Sequence, residues 1–263
     1  MSLHQAFRRA PVEDQIAQHL KPHLIPAPTR GIVQSENFAF MNPGACIISD
    51  NWLPTMRGVK LRGGSAEWCK IPVTAPAVPK PIISGFTYNN GAIEHMFAGQ
   101  DTELWDVTFT GTPTLVKGGQ TSGNYAASQM STPDGDYMIV VNDAGDPVLR
   151  YDGTTWTTLT TITGPVDSNV ATGGNLCYVW KYRGRFFFIE VGSMNAWYLP
   201  LGAIEGALLQ IPLSGATKQG GKLLFGATWS LDAGDGTDDK CIFFTTEGEV
   251  LVFTGSDPSD ADN

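Results

Sequence analysis

The sequence predicts a mainly β protein. Three observations carry that reading: a weak internal repeat, turn residues placed between its units, and a composition suited to pleated sheets. The repeat has four units, EHMFAGQDTELWDVTFTG, DYMIVVNDAGDPVLRYDGTTW, RFFFIEVGSMNAWYLPLG and CIFFTTEGEVLVFTGSDP. Each has an apolar strand, a short polar turn, and a second strand whose aromatic residue is followed closely by a Gly or Asp turn. The aligned aromatics are Trp105, Tyr151, Tyr198 and Phe253, at spacings of 46, 47 and 55 residues. Asn-Gly, Asp-Gly and Glu-Gly dipeptides at 90–91, 134–135, 152–153 and 247–248 break the units into hairpins. The chain has 30 glycines, and only 16% of its residues are charged. That favours tight turns and few solvated helices. A spacing of roughly 40–50 residues is that of propeller blades, each a small antiparallel sheet. The fold expected is an incomplete or small set of β-propeller-like repeats with an extended N-terminal arm. A β-sandwich or barrel with accidental spacing is the competing architecture.

The chain divides by composition at residue 80. Residues 1–80 hold nine Lys and Arg against five Asp and Glu, a balance of +4; residues 81–263 hold eight against 21, a balance of −13. The first part reads as an arm and assembly region, the second as the repeat domain. Val12 to Leu20 reads as a short amphipathic helix ended by Pro22, and Pro26 and Pro28 set an extended stretch. A frayed terminus is the alternative for residues 1–30. ACIISDNWLP reads as strand then turn, and VKLRGG as strand then turn. The segment 71–81, with Pro72, Pro76, Pro79 and Pro81, reads as a linker or edge segment.

Charge and motifs exclude several activities. An acidic body repels nucleic acid, which counts against a protein that grips DNA and not against a channel through which DNA slides. Cys46, Cys69, Cys177 and Cys241 are far apart, lack zinc spacing to His4, His19, His23 or His95, and are expected to be buried thiols. The start shows no apolar signal region and no apolar run reaches membrane-spanning length; the expected setting is a reducing cytoplasm. Asp232, Asp235, Asp238 and Asp239 cluster in one loop; the EF-hand pattern is absent, and the loop reads as a solvated acidic turn. RYDGTTW (150–156) resembles the Asp-box of sialidase propellers with one residue missing and Arg150 in place of the hydroxyl residue. It reads more simply as an Asp-Gly hairpin. No GxSxG elbow is present, GVKLRGG (58–64) lacks a Walker ending, and no pair among the 26 acidic residues is singled out. Phe186 to Phe188 read as a buried strand rather than a stacking platform for bases. The expectation is a protein that is not an enzyme and has no cofactor or metal.

The segment from PTRGI through ACIISDNWLPTMRGVKLRGG resembles the N-terminal signature of the tail hub, or nozzle, of short-tailed bacteriophages. That family carries an Asn-Trp-x-Pro turn, an Arg-containing strand and a paired-Gly turn, matched by Asn51, Trp52, Pro54, Gly58, Arg62, Gly63 and Gly64. LWDVT and GEVLVFTGSDPSDADN look like the same family, which is built on a propeller. The resemblance implies a homo-oligomeric, sixfold ring below the portal adaptor, in contact with other tail proteins. Its lumen would pass packaged DNA without sequence-specific contact and help retain it. The implied location is the virion tail, after synthesis in the host bacterial cytoplasm. The chain is shorter than such a hub, so a C-terminal part would be missing. Trp52 is expected to pack under its turn, while Arg57 or Arg62 meets a neighbouring subunit. A receptor- or carbohydrate-binding tail module and a propeller hydrolase are the other functional classes; the first needs exposed aromatics on one face, the second a central carboxylate pair.

Overall fold

The computed structural model describes residues 26–34, 37, 39–72, 78, 80–232, 237–255, 257 and 258, with side chains left aside at 231–238. The Val12–Leu20 helix, Pro76 and Pro79 of the proline segment, and Asp235 of the acidic loop lie outside the described residues, as do the side chains of Asp232 and Asp238. The chain forms two compact units, Met1–Ala66 and Glu67–Asn263. The composition boundary was set at residue 80, whereas the units part between Ala66 and Glu67. Residues 68–71 go with the second unit because their side chains pack there: Trp68 Nε1 donates to Val107 O at 2.9 Å, and Ile71 is buried with Ala98, Trp105 and Val107.

In the first unit, Ile32 and Cys46 form a parallel bridge, with Arg30 N–H donating to Gly44 O and Val33 N–H to Cys46 O. Two strands follow, β1 (Trp52–Thr55) and β2 (Gly58–Leu61), paired antiparallel across the Met56–Arg57 turn.

The second unit is mainly β, as expected; among its described residues the one helical element is a single turn at Ser214–Ala216. Four antiparallel sheets follow one another along the chain. The first is β3 (Ile82–Asn89), β4 (Glu94–Gln100), β5 (Glu103–Asp106) and β6 (Thr114–Lys117). The second is β7 (Tyr125–Thr132), β8 (Gly135–Asn142), β9 (Leu149–Tyr151) and β10 (Trp156–Thr158). The third is β11 (Leu176–Tyr182), β12 (Arg185–Glu190), β13 (Asn195–Tyr198) and β14 (Leu209–Pro212), and the fourth β15 (Leu223–Asp232), β16 (Thr237–Thr245) and β17 (Val250–Phe253). Within each sheet, chain order is spatial order. Such meanders need only tight turns, which the predicted dipeptides supply: Asn90-Gly91 between β3 and β4, Asp134-Gly135 between β7 and β8, Asp152-Gly153 between β9 and β10, and Glu247-Gly248 between β16 and β17.

The repeat read from the sequence is the second and third strand of every sheet. Trp105, Tyr151, Tyr198 and Phe253 all lie on third strands. Second strands read as apolar runs because both of their faces are covered. Val140 packs toward the first sheet, in a cluster with Tyr88, Phe97 and Leu104, while Ile139 and Val141 pack toward the third with Val179, Phe186 and Phe188. Phe187 and Ile189 then meet Cys241 and Phe243 of the fourth sheet. The first strands β3, β7, β11 and β15 run next to one another. Three of them begin with a bulge, at Ile82/Ser84, Leu176/Tyr178 and Leu223/Phe225, which bends each strand as it enters its sheet. Phe186 to Phe188 are fully buried, as a strand between two sheets requires. Of the four thiols only Cys241 is buried; Cys46, Cys69 and Cys177 are half-buried, because the last three sit at sheet ends and loops rather than on a central strand.

Candidate functional site

The residues singled out by the sequence fall on the β1–β2 ribbon and its flanks. Asn51 takes a left-handed conformation, φ 63°, which asparagine tolerates, and its backbone carbonyl accepts the Arg62 N–H at 2.7 Å. Its side-chain Oδ1 accepts from Arg62 Nε at 3.1 Å. Asn51 and Arg62 thus close the open end of the ribbon. Trp52 pairs with Leu61, Leu53 with Lys60, Pro54 with Val59 and Thr55 with Gly58. The reading of Asn-Trp-Leu-Pro as a turn is corrected: Trp52 to Pro54 are strand, and the turn is Met56–Arg57. Gly63 and Gly64 make no turn either; they follow β2 in irregular, exposed chain with negative φ or extended backbone. A Cβ added at Gly58, Gly63 or Gly64 meets nothing within 4 Å, so no close approach inside the chain demands glycine there.

The expected burial of Trp52 is also overturned. Its side chain is 46% exposed, beside exposed Leu53 and Leu61 and a fully solvated Met56. A two-stranded ribbon has no second layer to cover a tryptophan. Trp52→Ala therefore falls from the 3–5 kcal/mol of a buried ring to about 1 kcal/mol or less in the isolated chain; chemical denaturation followed by fluorescence reads it directly. Arg57 and Arg62 are exposed, with Lys60 between them.

A second set of residues was not foreseen. Among the described residues the buried polar side chains are Gln100, Asn142, Glu190 and Thr245, and each ends the second strand of its sheet. In the first three sheets the side chain fastens that strand end to the loop by which the chain enters the sheet. Gln100 Nε2 donates to Lys80 O at 2.5 Å, and Asn142 Nδ2 to Ser122 O at 2.9 Å. Glu190 accepts Asn169 Nδ2 at 2.9 Å, and also Asn195 Nδ2 at 3.0 Å and Trp197 Nε1 at 2.9 Å. In the fourth sheet Thr245 caps its own turn through Glu249 N–H, and Thr246 takes over the entry loop through Lys222. The four types differ, and they precede the repeat aromatics by 5, 9, 8 and 8 residues, so neither residue type nor spacing announces the position in the sequence.

Other chemical groupings resolve into structure. Asp152 Oδ1 accepts the Thr154 and Thr155 N–H groups and the Thr154 hydroxyl, so RYDGTTW is a hairpin held by its aspartate. Burial raises the Asp152 pKa, and these hydrogen bonds more than reverse it to a net lowering. His95 Nδ1 lies 3.6 Å from Asp106 Oδ2, with its ring stacked on Phe97. A cleft of about 360 Å³ opens between the second, third and fourth sheets, lined in part by Tyr125, Asp143, Cys177 and Lys222. Burial pushes the Cys177 thiol up to about 11, leaving it protonated at neutral pH and a poor nucleophile. Among the described residues no three His, Cys, Asp or Glu side chains are grouped to hold a metal ion.

No family model and no curated protein matches the chain. Among solved structures, one similar chain comes from the crystal structure of BBS1N in complex with ARL6DN, soaked with lead. It is 12% identical, with a TM-score of 0.38 over 74% of this chain and 54% of that one. The chain spans about half the length of that structure, and a likeness at this level assigns neither a fold family nor a function.

Proposed function

We propose that the protein is a structural subunit of the tail hub, or nozzle, of a short-tailed bacteriophage, and that its four consecutive sheets are blades of a propeller-like array. The observation that carries the reading is the Asn51–Gly64 ribbon. The residues that resemble the hub signature lie on and beside one exposed element, apolar and basic, in which Trp52, Leu53 and Met56 are exposed among the described residues. Such a ribbon is poorly suited to stand alone and well suited to meet another subunit. The acidic balance of residues 81–263 supports a scaffold along which DNA slides. A duplex carries one charge per ~1.7 Å, and a basic lumen would hold it at many phosphates. The subunit assembles as a homo-oligomeric ring with the portal adaptor and other tail proteins, passes the genome through its lumen, and performs no catalysis.

Electron microscopy of the purified chain and of assembled particles tests this. A closed ring, sixfold by the hub reading, with a lumen wide enough for duplex DNA and lined mainly by acidic or neutral side chains, is the expected result. A lumen lined mainly by Lys and Arg, no lumen at all, or turnover of a glycoside, ester or nucleic acid that one Asp or Glu substitution abolishes would each overturn the proposal.

A further inference from the structure

The turn that joins β3 to β4 carries a chemistry of its own. Asn90 is the one asparagine of the chain that is followed by glycine. With Gly91, Ala92 and Ile93 it makes an exposed loop between Asn89 and Glu94, which pair across the hairpin. After any asparagine, the next backbone nitrogen can close a five-membered ring on the side-chain carbonyl carbon, and the reaction is intramolecular. A side chain on that next residue crowds the approach. Gly91 has none, and its φ of 84° is one that other residues seldom take.

Two features of the loop act on that reaction in opposite senses. Asn90 Oδ1 accepts the Ala92 N–H at 3.1 Å and the Ile93 N–H at 2.8 Å. These bonds hold the carboxamide over the backbone that follows it. They also aim two donors at the oxygen on which negative charge develops when Cγ is attacked, as an oxyanion hole does. Against this, the Gly91 N–H donates to Asn89 Oδ1 at 2.7 Å. The nitrogen attacks only after losing that proton, so the Asn89 amide keeps the nucleophile in its unreactive form. The Asn89 backbone is anchored separately to the second sheet. Its N–H donates to Gln129 Oε1 at 3.1 Å, and its C=O accepts from Gln129 Nε2 at 2.6 Å. The side-chain bond can therefore be removed while the backbone stays in place.

We infer that Asn90 is a site of self-modification, a deamidation centre promoted by the Ala92 and Ile93 N–H groups and restrained by Asn89. The Gly91 nitrogen gives its proton to water and bonds to Asn90 Cγ. The Cγ–Nδ2 bond then breaks, and the departing nitrogen takes up a proton and leaves as ammonia. One water molecule opens the resulting cyclic imide at either carbonyl, giving aspartate or isoaspartate. The sum is amide plus water to carboxylic acid plus ammonia, with no oxidant and no cofactor. Aspartate adds a negative charge to the turn, and its oxygens still accept from Ala92 and Ile93. Isoaspartate carries the main chain through the former side chain, so the turn lengthens by one methylene group and loses that cap. The change needs no partner, so it is independent of what the protein assembles with.

Peptide mass spectrometry of the folded full chain, sampled during incubation in mildly alkaline buffer, tests it. A gain of one mass unit at Asn90 is expected, with isoaspartate among the products, and faster as pH rises because the reacting nitrogen must be deprotonated. Asn89→Ala is expected to react roughly two- to tenfold faster, the factor that one ordinary hydrogen bond on the nucleophile is worth. Circular dichroism confirms that the variant is folded. The same two chains unfolded in urea, where no loop holds Asn89 against Gly91, are expected to react at equal rates. An unchanged Asn90 in both folded chains overturns the inference. So does a folded Asn89→Ala that reacts no faster than wild type, or one whose acceleration persists in urea.

Discussion

Gly99→Ala is expected to cost about 3 kcal/mol or more, because the new methyl group has nowhere to go. A Cβ at Gly99 would lie 1.9 Å from Gly123 O, 2.4 Å from Ser84 Oγ and 2.7 Å from Tyr125 Cδ2. The first of these is backbone and cannot swing aside. Gly123 is confined in turn: its own Cβ would come within 2.9 Å of the Gln100 carbonyl carbon and of Asp101 O. The two glycines face each other where the first sheet meets the chain entering the second. Ser84 ties the joint by donating to Gly123 O at 2.7 Å and accepting the Tyr125 N–H at 3.0 Å. An alanine at 99 must pull this knot apart, and with it the contact of Phe97 and Tyr125 inside one core cluster. For a domain of this size the loss corresponds to a melting shift of roughly 6–12 °C. Gly85→Ala is the control. It lies on the neighbouring strand, its Cβ would meet only Phe97 O at an ordinary 3.7 Å, and its φ is not positive. Thermal unfolding by circular dichroism should show Gly85→Ala within about 1 kcal/mol of wild type. Equal melting of the two variants would mean that the first two sheets are not joined as described.

How much of this was legible in the sequence follows from what each strand touches. Second strands are covered on both faces, so their alternate residues are both apolar: Met138 to Val141 and Phe186 to Ile189 are unbroken runs, and runs are visible. Third strands carry a large aromatic and lead out through a turn, so they too left a mark. First strands did not, because each lies against other first strands and against loops. Close approach selects small residues there: Gly226 lets the Trp180 ring lie where a Cβ would stand, 2.4 Å from its Cζ2 and Cη2 atoms. Ala126, Ala127 and Ser128 give β7 no apolar period to read. Fourth strands are three or four residues long and mostly exposed or half-exposed, too short for any period.

The ribbon was found but misplaced by a turn. Asparagine and proline are turn residues on average, whereas here Asn51 holds the residue before a strand and Pro54 sits at an outward position of a two-stranded ribbon, where its missing N–H costs no bond. The true turn, Met56–Arg57, has no turn-forming residue to announce it. Burial of Trp52 was inferred from residue type, and type is a poor guide where no second layer exists.

The buried polar residues at second-strand ends give the other large effect. Glu190 is 2% exposed and all three groups that donate to it are neutral, two side-chain amides and an indole. Its carboxylate lets one strand end hold the 165–169 loop, the start of β13 and the buried Trp197 together. Glu190→Leu keeps the bulk and removes every acceptor. Trp197 Nε1 is then left in the interior without a partner, and unmet buried donors cost about 1–3 kcal/mol each. The expected loss is about 3 kcal/mol or more, with the 165–169 loop freed from β12. Glu190→Gln separates hydrogen bonding from charge. Its carbonyl can still accept from Asn195 and Trp197, and its NH₂ then faces Asn169, whose exposed amide can turn over to present oxygen. The expected cost is about 1 kcal/mol. Denaturant melts of the two variants, with amide exchange at Asn169 and Val170, read both effects. Wild-type stability in Glu190→Leu would show that the strand end needs no latch. A Glu190→Gln loss as large as that of leucine would show that Asn169 cannot turn and that the negative charge itself holds the loop.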